Sequence, residues 1–432
     1  MIWFCRIVGG LPMEFAPETR GTKALAFSTP AFLWSTTLVI LQEILSSIVL
    51  YVYFMGRQHG LLSDALTRTT DFATTLHVVS LQVMVAVVFL SSSRKYRRLV
   101  EVFDTLERVY RDHQCKTSEV KFTVKLWGVC TTAVVLATTA PIIQDGILSG
   151  RKLSMSLANI FLLLPYCSEV AVLVHFTHVT QIIAKCFRMV NARIQKELIS
   201  HAIERMEINS SLPNVDVIHA NRKLSLKKSK PRGILFSKRC NLGSVLLEAY
   251  CVEDAISRAS PSSVTGDMLS KAKKLRTLMN TYWMLCDAVH QANVFYGDQL
   301  MAVIFTAFVH ITITSYYFFL YFGMVTVFAS ISGGAWILIH ICYVVVLINS
   351  STDVINSADE TGMLISKFMN KDLDPILKKQ LEGFLLQLPH HNARFSALGY
   401  FQIHNETLTA MAGAVTTYLV ILIQFQTQPS FT

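Results

Sequence analysis

Seven times along its 432 residues this chain runs through a block of mostly apolar residues that is read as crossing a bilayer, the third and sixth being the least defined at their ends. The blocks are Phe32 to Phe54, Ala73 to Leu90, Leu126 to Ile143, Leu157 to Ile183, Met301 to Ile331, Trp336 to Asn349 and Thr407 to Phe425. Roughly 20 apolar residues in a helix cross the ~30 Å hydrocarbon layer of a membrane. Lipid cannot satisfy backbone N–H and C=O groups, so blocks of this length must close their hydrogen bonds internally, as helices. Charged residues make up 16% of the chain and hydrophobic ones 52%, with mean hydropathy +0.42, against about 25% charged in soluble domains. The expected fold is all-α: a polytopic membrane protein of seven transmembrane helices. The opening "MIWFCRIVGG" has too short an apolar run for a cleavable signal peptide, which leaves the first span as its own insertion signal.

Positively charged loops stay in the cytoplasm. Lys and Arg number three before the first span, eight over Arg94 to Lys121, eighteen over Lys185 to Arg276 and five between the sixth and seventh spans. The alternate segments hold only Arg57, Arg68, Arg151 and Lys152. Even without the long fourth loop, which counts for less in this rule, the bias is 16 against 4. A cytoplasmic N-terminus and an extracellular C-terminus are expected. G-protein-coupled receptors lie the other way up. The triplet-like "ERVYRD" (Glu107 to Asp112) is read as part of a loop at the wrong spacing for their acidic-Arg-Tyr motif, so no G protein is expected as a partner.

Five segments follow along the chain. Residues 1–190 carry the N-terminal segment and spans one to four. Residues 191–298 form a long basic cytoplasmic loop. Its ends, such as "KCFRMVNARIQKELISHAIERM", keep helical periodicity, and its middle, about Asn209 to Gly266, is rich in Ser, Pro, Lys and Gly. Residues 299–350 hold spans five and six. Residues 351–406 make a cytoplasmic helical linker, broken near Asp372 to Pro375 and followed by a short amphipathic helix ending near Pro389. Residues 407–432 supply the seventh span and a short extracellular tail. Together the extensions of the spans would build a helical layer on the cytoplasmic side.

The nine cysteines show no paired C-x-x-C, and no His/Asp/Glu set has metal-ligand spacing. Free thiols, no metal and no cofactor are expected. With no nucleophile motif either, the chain is not expected to be an enzyme. The net charge of +10 fits a loop facing the anionic inner leaflet. Nucleic acid is not a partner, since the basic run "KLSLKKSKPRG" lacks interleaved aromatics. A transporter would show inverted repeats or paired broken helices, and neither is evident.

The seventh span, "TLTAMAGAVTTYLVILIQF", is the informative one. At 3.6 residues per turn, Ala410, Gly413 or Ala414, Thr417, Ile421, Gln424 and Gln428 share a face. Small residues occupy its cytoplasmic half and larger ones its outer end. Such a stripe either lines a water path or permits close helix packing.

TYLVILIQF, Thr417 to Phe425, matches a Thr-Tyr, five mostly hydrophobic residues, Gln-Phe signature, and "RFSALGYFQIHNETL" precedes it. In these two stretches the chain resembles the insect gustatory receptors. The resemblance implies a ligand-gated, non-selective cation channel passing monovalent and divalent cations. It implies a homotetramer, or a heterotetramer with related receptors, in the lipid of a sensory neuron's plasma membrane. The last helix of each subunit then surrounds one pore, with Thr417, Ile421, Gln424 and Phe425 along it and the outer gate at Gln424 and Phe425. The family's multi-member sugar branch has an acidic residue after Thr-Tyr, where this chain has Leu419. That argues against the sugar branch and leaves the fructose-receptor-like, bitter, broadly tuned and carbon dioxide branches open, with a co-receptor subunit as the alternative role and a small-molecule tastant as the ligand.

A pocket for such a ligand opens outward, so its candidates are polar and aromatic residues in the outer halves of the spans. They are His77 and Gln82 in span two, Gln144 and Asp145 ending span three, and Tyr166 and Glu169 in span four. Ser315 and Tyr316 in span five and Trp336, His340 and Tyr343 in span six complete the set. Ionisable groups at membrane depth are costly and mark functional sites, although Tyr and Trp near span ends also serve as interface anchors. Glu43, deep in span one, is read as pairing within the bundle.

Overall fold

The computed structural model describes residues 13–17, 23–57, 64–113, 163–211, 263–321, 327–371, 373–391 and 393–427. Strands β1 (Met13–Pro17) and β2 (Lys23–Phe27) pair antiparallel ahead of α1 (Thr29–Arg57). The helices that follow are α2 (Asp64–His113), α3 (Leu163–Ser211), α4 (Ser263–Tyr321), α5 (Val327–Met369), α6 (Pro375–Gln387) and α7 (Asn405–Thr427). A second small hairpin, β3 (Ser396–Ala397) with β4 (Phe401–Gln402), stands immediately before α7. Among the described residues, six helices are long and apolar enough to cross a membrane: α1 to α5 and α7. The third expected span, Leu126 to Ile143, lies outside the described residues, as does most of the Asn209 to Gly266 stretch.

Each helix start has a local cause. Ser28 caps α1, its hydroxyl 3.5 Å from the Ala31 N–H, and Pro30 occupies the first turn, where its missing N–H is no loss. The break after α5 falls where the sequence reading placed it. α5 ends at Met369, with Lys367 in its last turn facing the negative end of the helix dipole. α6 restarts on Pro375, and the Lys378 N–H donates to the Asp374 carbonyl at 2.8 Å. Its stripe Leu377, Leu381 and Phe384 is buried at helical spacing.

One expectation is corrected. The segment from Arg94 was read as a loop containing "ERVYRD", but α2 continues unbroken through His113. The reason is a stripe the charge run conceals: Leu99, Val102, Leu106 and Val109 recur every three or four residues and are all buried, while Glu101, Asp104, Glu107 and Arg108 between them face out. The expected helical extensions of spans four, five and six are all present, as α3, α4 and α5.

The chain forms two compact units. One comprises Met1–Asn191, Thr281–Met363 and Gln387–Thr432; the other comprises Ala192–Asn280 and Leu364–Leu386. In the second, Ile194, Leu198, Leu275, Ile365, Leu377 and Leu381 are buried. In the first, polar bonds as well as apolar contacts tie the helices together. The Tyr296 hydroxyl of α4 meets His175 Nδ1 of α3 at 2.6 Å. Asn191 of α3 donates to the Ser357 carbonyl of α5 at 2.8 Å and accepts from the Thr361 hydroxyl. Lys95 of α2 pairs with Asp298 of α4 at 2.6 Å. Where water is absent, a buried polar side chain must find its partner on a neighbouring helix, so these bonds fix which helix faces which.

The β3–β4 hairpin is held in the same way. Asn293 of α4 donates to the Ser396 hydroxyl and accepts the Ser396 N–H, at 3.2 and 2.8 Å. Ser351 of α5 donates to the Ile403 carbonyl at 2.7 Å, and Phe395 stacks edge-on against Phe176 of α3. Its turn is tight. Leu398 and Gly399 both have positive φ, 53° and 80°, and the Tyr400 N–H closes onto the Ala397 carbonyl at 3.0 Å. Neither hairpin was expected from the sequence.

Candidate functional site

Four helices of the first unit bring their ionisable and aromatic side chains to one place. α2 supplies His77, α3 supplies Tyr166 and Glu169, α4 supplies His310, and α5 supplies Trp336, His340 and Tyr343. The His77 ring lies flat on His310, centroids 4.1 Å apart and 11° from parallel, while its Nε2 shares a 2.7 Å hydrogen bond with the Tyr166 hydroxyl. Tyr166 also packs on Trp336 at 5.0 Å and edge-on to His340 at 5.9 Å. Tyr343 meets His340 edge-on at 5.8 Å. Glu169 is fully buried, and neither of its carboxylate oxygens has a hydrogen-bond partner.

The proton positions among the histidines follow from the acceptors around them. His340 Nδ1 lies 2.9 Å from the Trp336 carbonyl, which can only accept, so Nδ1 carries the hydrogen and Nε2 carries a lone pair. That lone pair faces His310 Nδ1 at 3.1 Å. At the other end of His310, Nε2 lies 3.4 Å from Ser80 Oγ, and the Ser80 hydroxyl already donates to the His77 carbonyl at 2.8 Å. Neutral His310 has one N–H to give. Given to His340, it leaves Nε2 to accept from the Ser80 hydroxyl, once that hydroxyl turns from the His77 carbonyl. Given to Ser80, it leaves two imidazole lone pairs facing each other. Which nitrogen of His310 carries the proton thus turns on the Ser80 hydroxyl, which can rotate between the His77 carbonyl and His310 Nε2.

Of the residues anticipated for a ligand pocket, the structure brings His77, Tyr166, Glu169, Trp336, His340 and Tyr343 together. Gln82 instead turns towards α1, 3.4 Å from the Glu43 carbonyl and 3.3 Å from the Ser47 hydroxyl. Ser315 and Tyr316 are buried on α4, and the Tyr316 ring packs against Tyr317. Gln144 and Asp145 lie outside the described residues. Glu43 does not show the expected pairing: its buried Oε1 has no hydrogen-bond partner. His310 was missed. It sits in the middle of an apolar run, "AVIFTAFVHITITSYYF", and only the approach of α2 and α5 distinguishes it from a core histidine. Glu169, His310 and His340 each offer a ligand atom, all within 4.8 Å of one another. Separations of 141 and 30 residues hide such a set from any spacing rule.

The anticipated face of α7 has a different character. Only 6% of its apolar window is buried within the chain, against 78% for α3 and 72% for α4. Ala410, Gly413, Thr417, Ile421 and Gln424 are exposed, and a Cβ added at Gly413 would meet nothing within 4 Å. Close packing inside one chain is therefore not what these small residues serve. Tyr418 touches Phe308 of α4 edge-on at 5.8 Å. The Phe425 side chain and Gln428 lie outside what is described. Cys167, Cys186, Cys286 and Cys342 are free thiols, as expected.

The family described as "7tm Chemosensory receptor" matches this chain over residues 1–224 and 234–429. Among related Drosophila melanogaster proteins, one designated gustatory receptor 28b is 27% identical over 36% of this chain and 34% of its own length. The "Gustatory receptor for sugar taste 43a" is 26% identical over 36% of this chain and 37% of its own length. The "Gustatory receptor for bitter taste 66a" is 26% identical over 40% and 36%. These alignments thus span little more than a third of each relative. Over nearly the whole length, the fold is similar to that of the insect olfactory receptor OR5 from Machilis hrabei. The TM-score is 0.60 with 12% identity, covering 98% of this chain and 96% of that one. That receptor has also been solved in complex with eugenol. This chain is a multi-pass membrane protein and belongs to the 7tm chemosensory receptor family, among the insect gustatory receptors.

Proposed function

We propose that the chain is a taste receptor of the plasma membrane that works as a ligand-gated, non-selective cation channel. A small-molecule tastant opens it from outside, and four copies surround one pore lined by α7. The observation that carries this reading is the state of α7: long, apolar, and almost unburied in its own chain, with its small-residue face open. A closed ring of identical subunits would cover such a face and turn its small residues towards a common axis. From Thr407 to Gln424 the helix has no charged residue. A pore built from it has no charged ring to sort one cation from another, and closes by a hydrophobic constriction that excludes water. The aromatic and imidazole nest of α2 to α5 supports the ligand half of the reading, since small-molecule sites join aromatic walls to a few placed polar groups. Relatives named for sugar and for bitter taste bracket the class of ligand.

Patch recordings from cells expressing this chain alone, screened with sugars and bitter compounds, test the reading. Ligand-evoked cation currents are expected, and they should persist in excised patches without GTP. Currents that vanish on excision and return with GTP would overturn it. Phe425→Ala is expected to leave channels conducting without ligand, and Gln424→Ala to change conductance or gating more than surface expression. Normal closure and permeation in both variants at normal surface levels would remove α7 from the pore.

A further inference from the structure

We propose that Glu169, His310 and His340 form a binding site for a first-row divalent cation, with Zn²⁺ as the cation of choice. Three independent features of the nest point to it. His340 Nε2 and His310 Nδ1 face each other at 3.1 Å. Two nitrogens bound to one tetrahedral zinc at about 2.0–2.1 Å are roughly 3.3 Å apart, so this pair is already spaced to hold a metal between them. The third ligand is Glu169, whose buried carboxylate has no hydrogen-bond partner on either oxygen. A buried carboxylate left unsatisfied is among the most costly groups a protein can carry. The set closes to within 4.8 Å, so the carboxylate needs to advance by at most about 1.5 Å to reach coordination distances.

The outer contacts agree with this assignment. A metal-bound histidine donates its other ring N–H to a carbonyl or polar oxygen, which fixes its tautomer. His340 does so through Nδ1 to the Trp336 carbonyl at 2.9 Å. His310 does so through Nε2 to Ser80 Oγ at 3.4 Å, and Ser80 is free to accept because its own hydrogen goes to the His77 carbonyl. The tautomers that place two lone pairs against each other are those a metal requires. The stacked His77 ring braces His310 from behind. Two imidazoles and one carboxylate leave the fourth position of a tetrahedral ion open to water or to an oxygen or nitrogen donor of a ligand. The softness of imidazole favours Zn²⁺, Co²⁺, Ni²⁺ or Cu²⁺ over Ca²⁺ or Mg²⁺.

The test counts metal and needs no current, so its failure and that of the channel reading are separable. Purified full-length chain in lipid nanodiscs is equilibrated with micromolar ZnCl₂, desalted, and its zinc measured by mass spectrometry. About one Zn²⁺ per chain is expected. CoCl₂ in its place should give the intense visible absorption of a four-coordinate site, a reading on the wild-type chain that depends on no variant. Glu169→Gln and His340→Gln should each weaken zinc binding by roughly tenfold or more, whereas His404→Gln, at a surface pair with Glu406, should leave it unchanged. Monodisperse wild-type protein that retains no zinc, or wild-type zinc affinity in both Glu169→Gln and His340→Gln, would overturn the proposal. An octahedral cobalt spectrum would do the same.

Discussion

At the scale of single residues, burial rather than bond length decides what an interaction contributes. Asn191 and Arg188 both reach from α3 to α5, and their shortest bonds are alike, 2.8 and 2.9 Å. Arg188 and Asp353 are 51% and 41% exposed, so water and salt screen the pair, and such pairs contribute about 0–1 kcal/mol. Asn191 is buried, and removing its side chain takes the acceptor from the buried Thr361 hydroxyl. Leaving buried polar groups without a partner costs about 1–3 kcal/mol. We predict that Asn191→Ala lowers the melting temperature of the detergent-solubilised chain markedly, while Arg188→Ala barely moves it. Equal shifts in the two variants would contradict this account.

At the scale of elements, two glycines make opposite demands. Gly399 sits in the β3–β4 turn at φ 80°, and Gly383 lies inside α6. A Cβ at either position meets nothing within 4 Å, so any effect of Ala comes from the backbone alone. The left-handed conformation costs an L-residue about 1–2 kcal/mol, while Gly within a helix is worse than Ala by about 0.5–1 kcal/mol. Gly399→Ala is expected to destabilise and Gly383→Ala to stabilise, read as melting temperatures of opposite sign. The spans themselves were legible in the sequence, because hydrocarbon thickness imposes a length that hydropathy reveals. The continuation of α2 past Arg94 was not, since a stripe of four apolar residues is outvoted by the Lys and Arg around it in any window average. The hairpins were not legible either. Leu398 in a left-handed turn breaks the local preference that turn reading relies on, and what holds it there is Asn293, about a hundred residues away.

At the scale of the whole molecule, the charge bias of the loops makes a claim about orientation. We predict that a tag fused at the N-terminus is stained only after permeabilisation, and that one fused at the C-terminus is stained on intact cells. Surface staining of the N-terminal tag would turn the nest of α2 to α5 towards the cytoplasm and remove its access to an external tastant. Much of the candidate site was readable at this scale for a simple reason. Polar and aromatic residues in the outer halves of the spans are few enough to name one by one, and six of the eleven so named converge. What could not be read was the convergence itself. Glu169 and His340 become a set only when α3 and α5 meet at the depth where α4 carries His310.

α4 runs without a break from Ser263 to Tyr321. Along it, His310 in the nest and Asn293 at the β3–β4 hairpin stand about 25 Å apart at 1.5 Å per residue. An unbroken helix has no loop between two such points to absorb a displacement. If a bound molecule tilts α4 at His310, the shift is carried as a lever arm to Asn293, which grips Ser396 by two bonds. From there it is three residues from the end of β4 to the first turn of α7. The root of the exposed helix is thereby hitched to the buried one, and a movement begun in the nest would arrive where a ring of four such helices would have to spread.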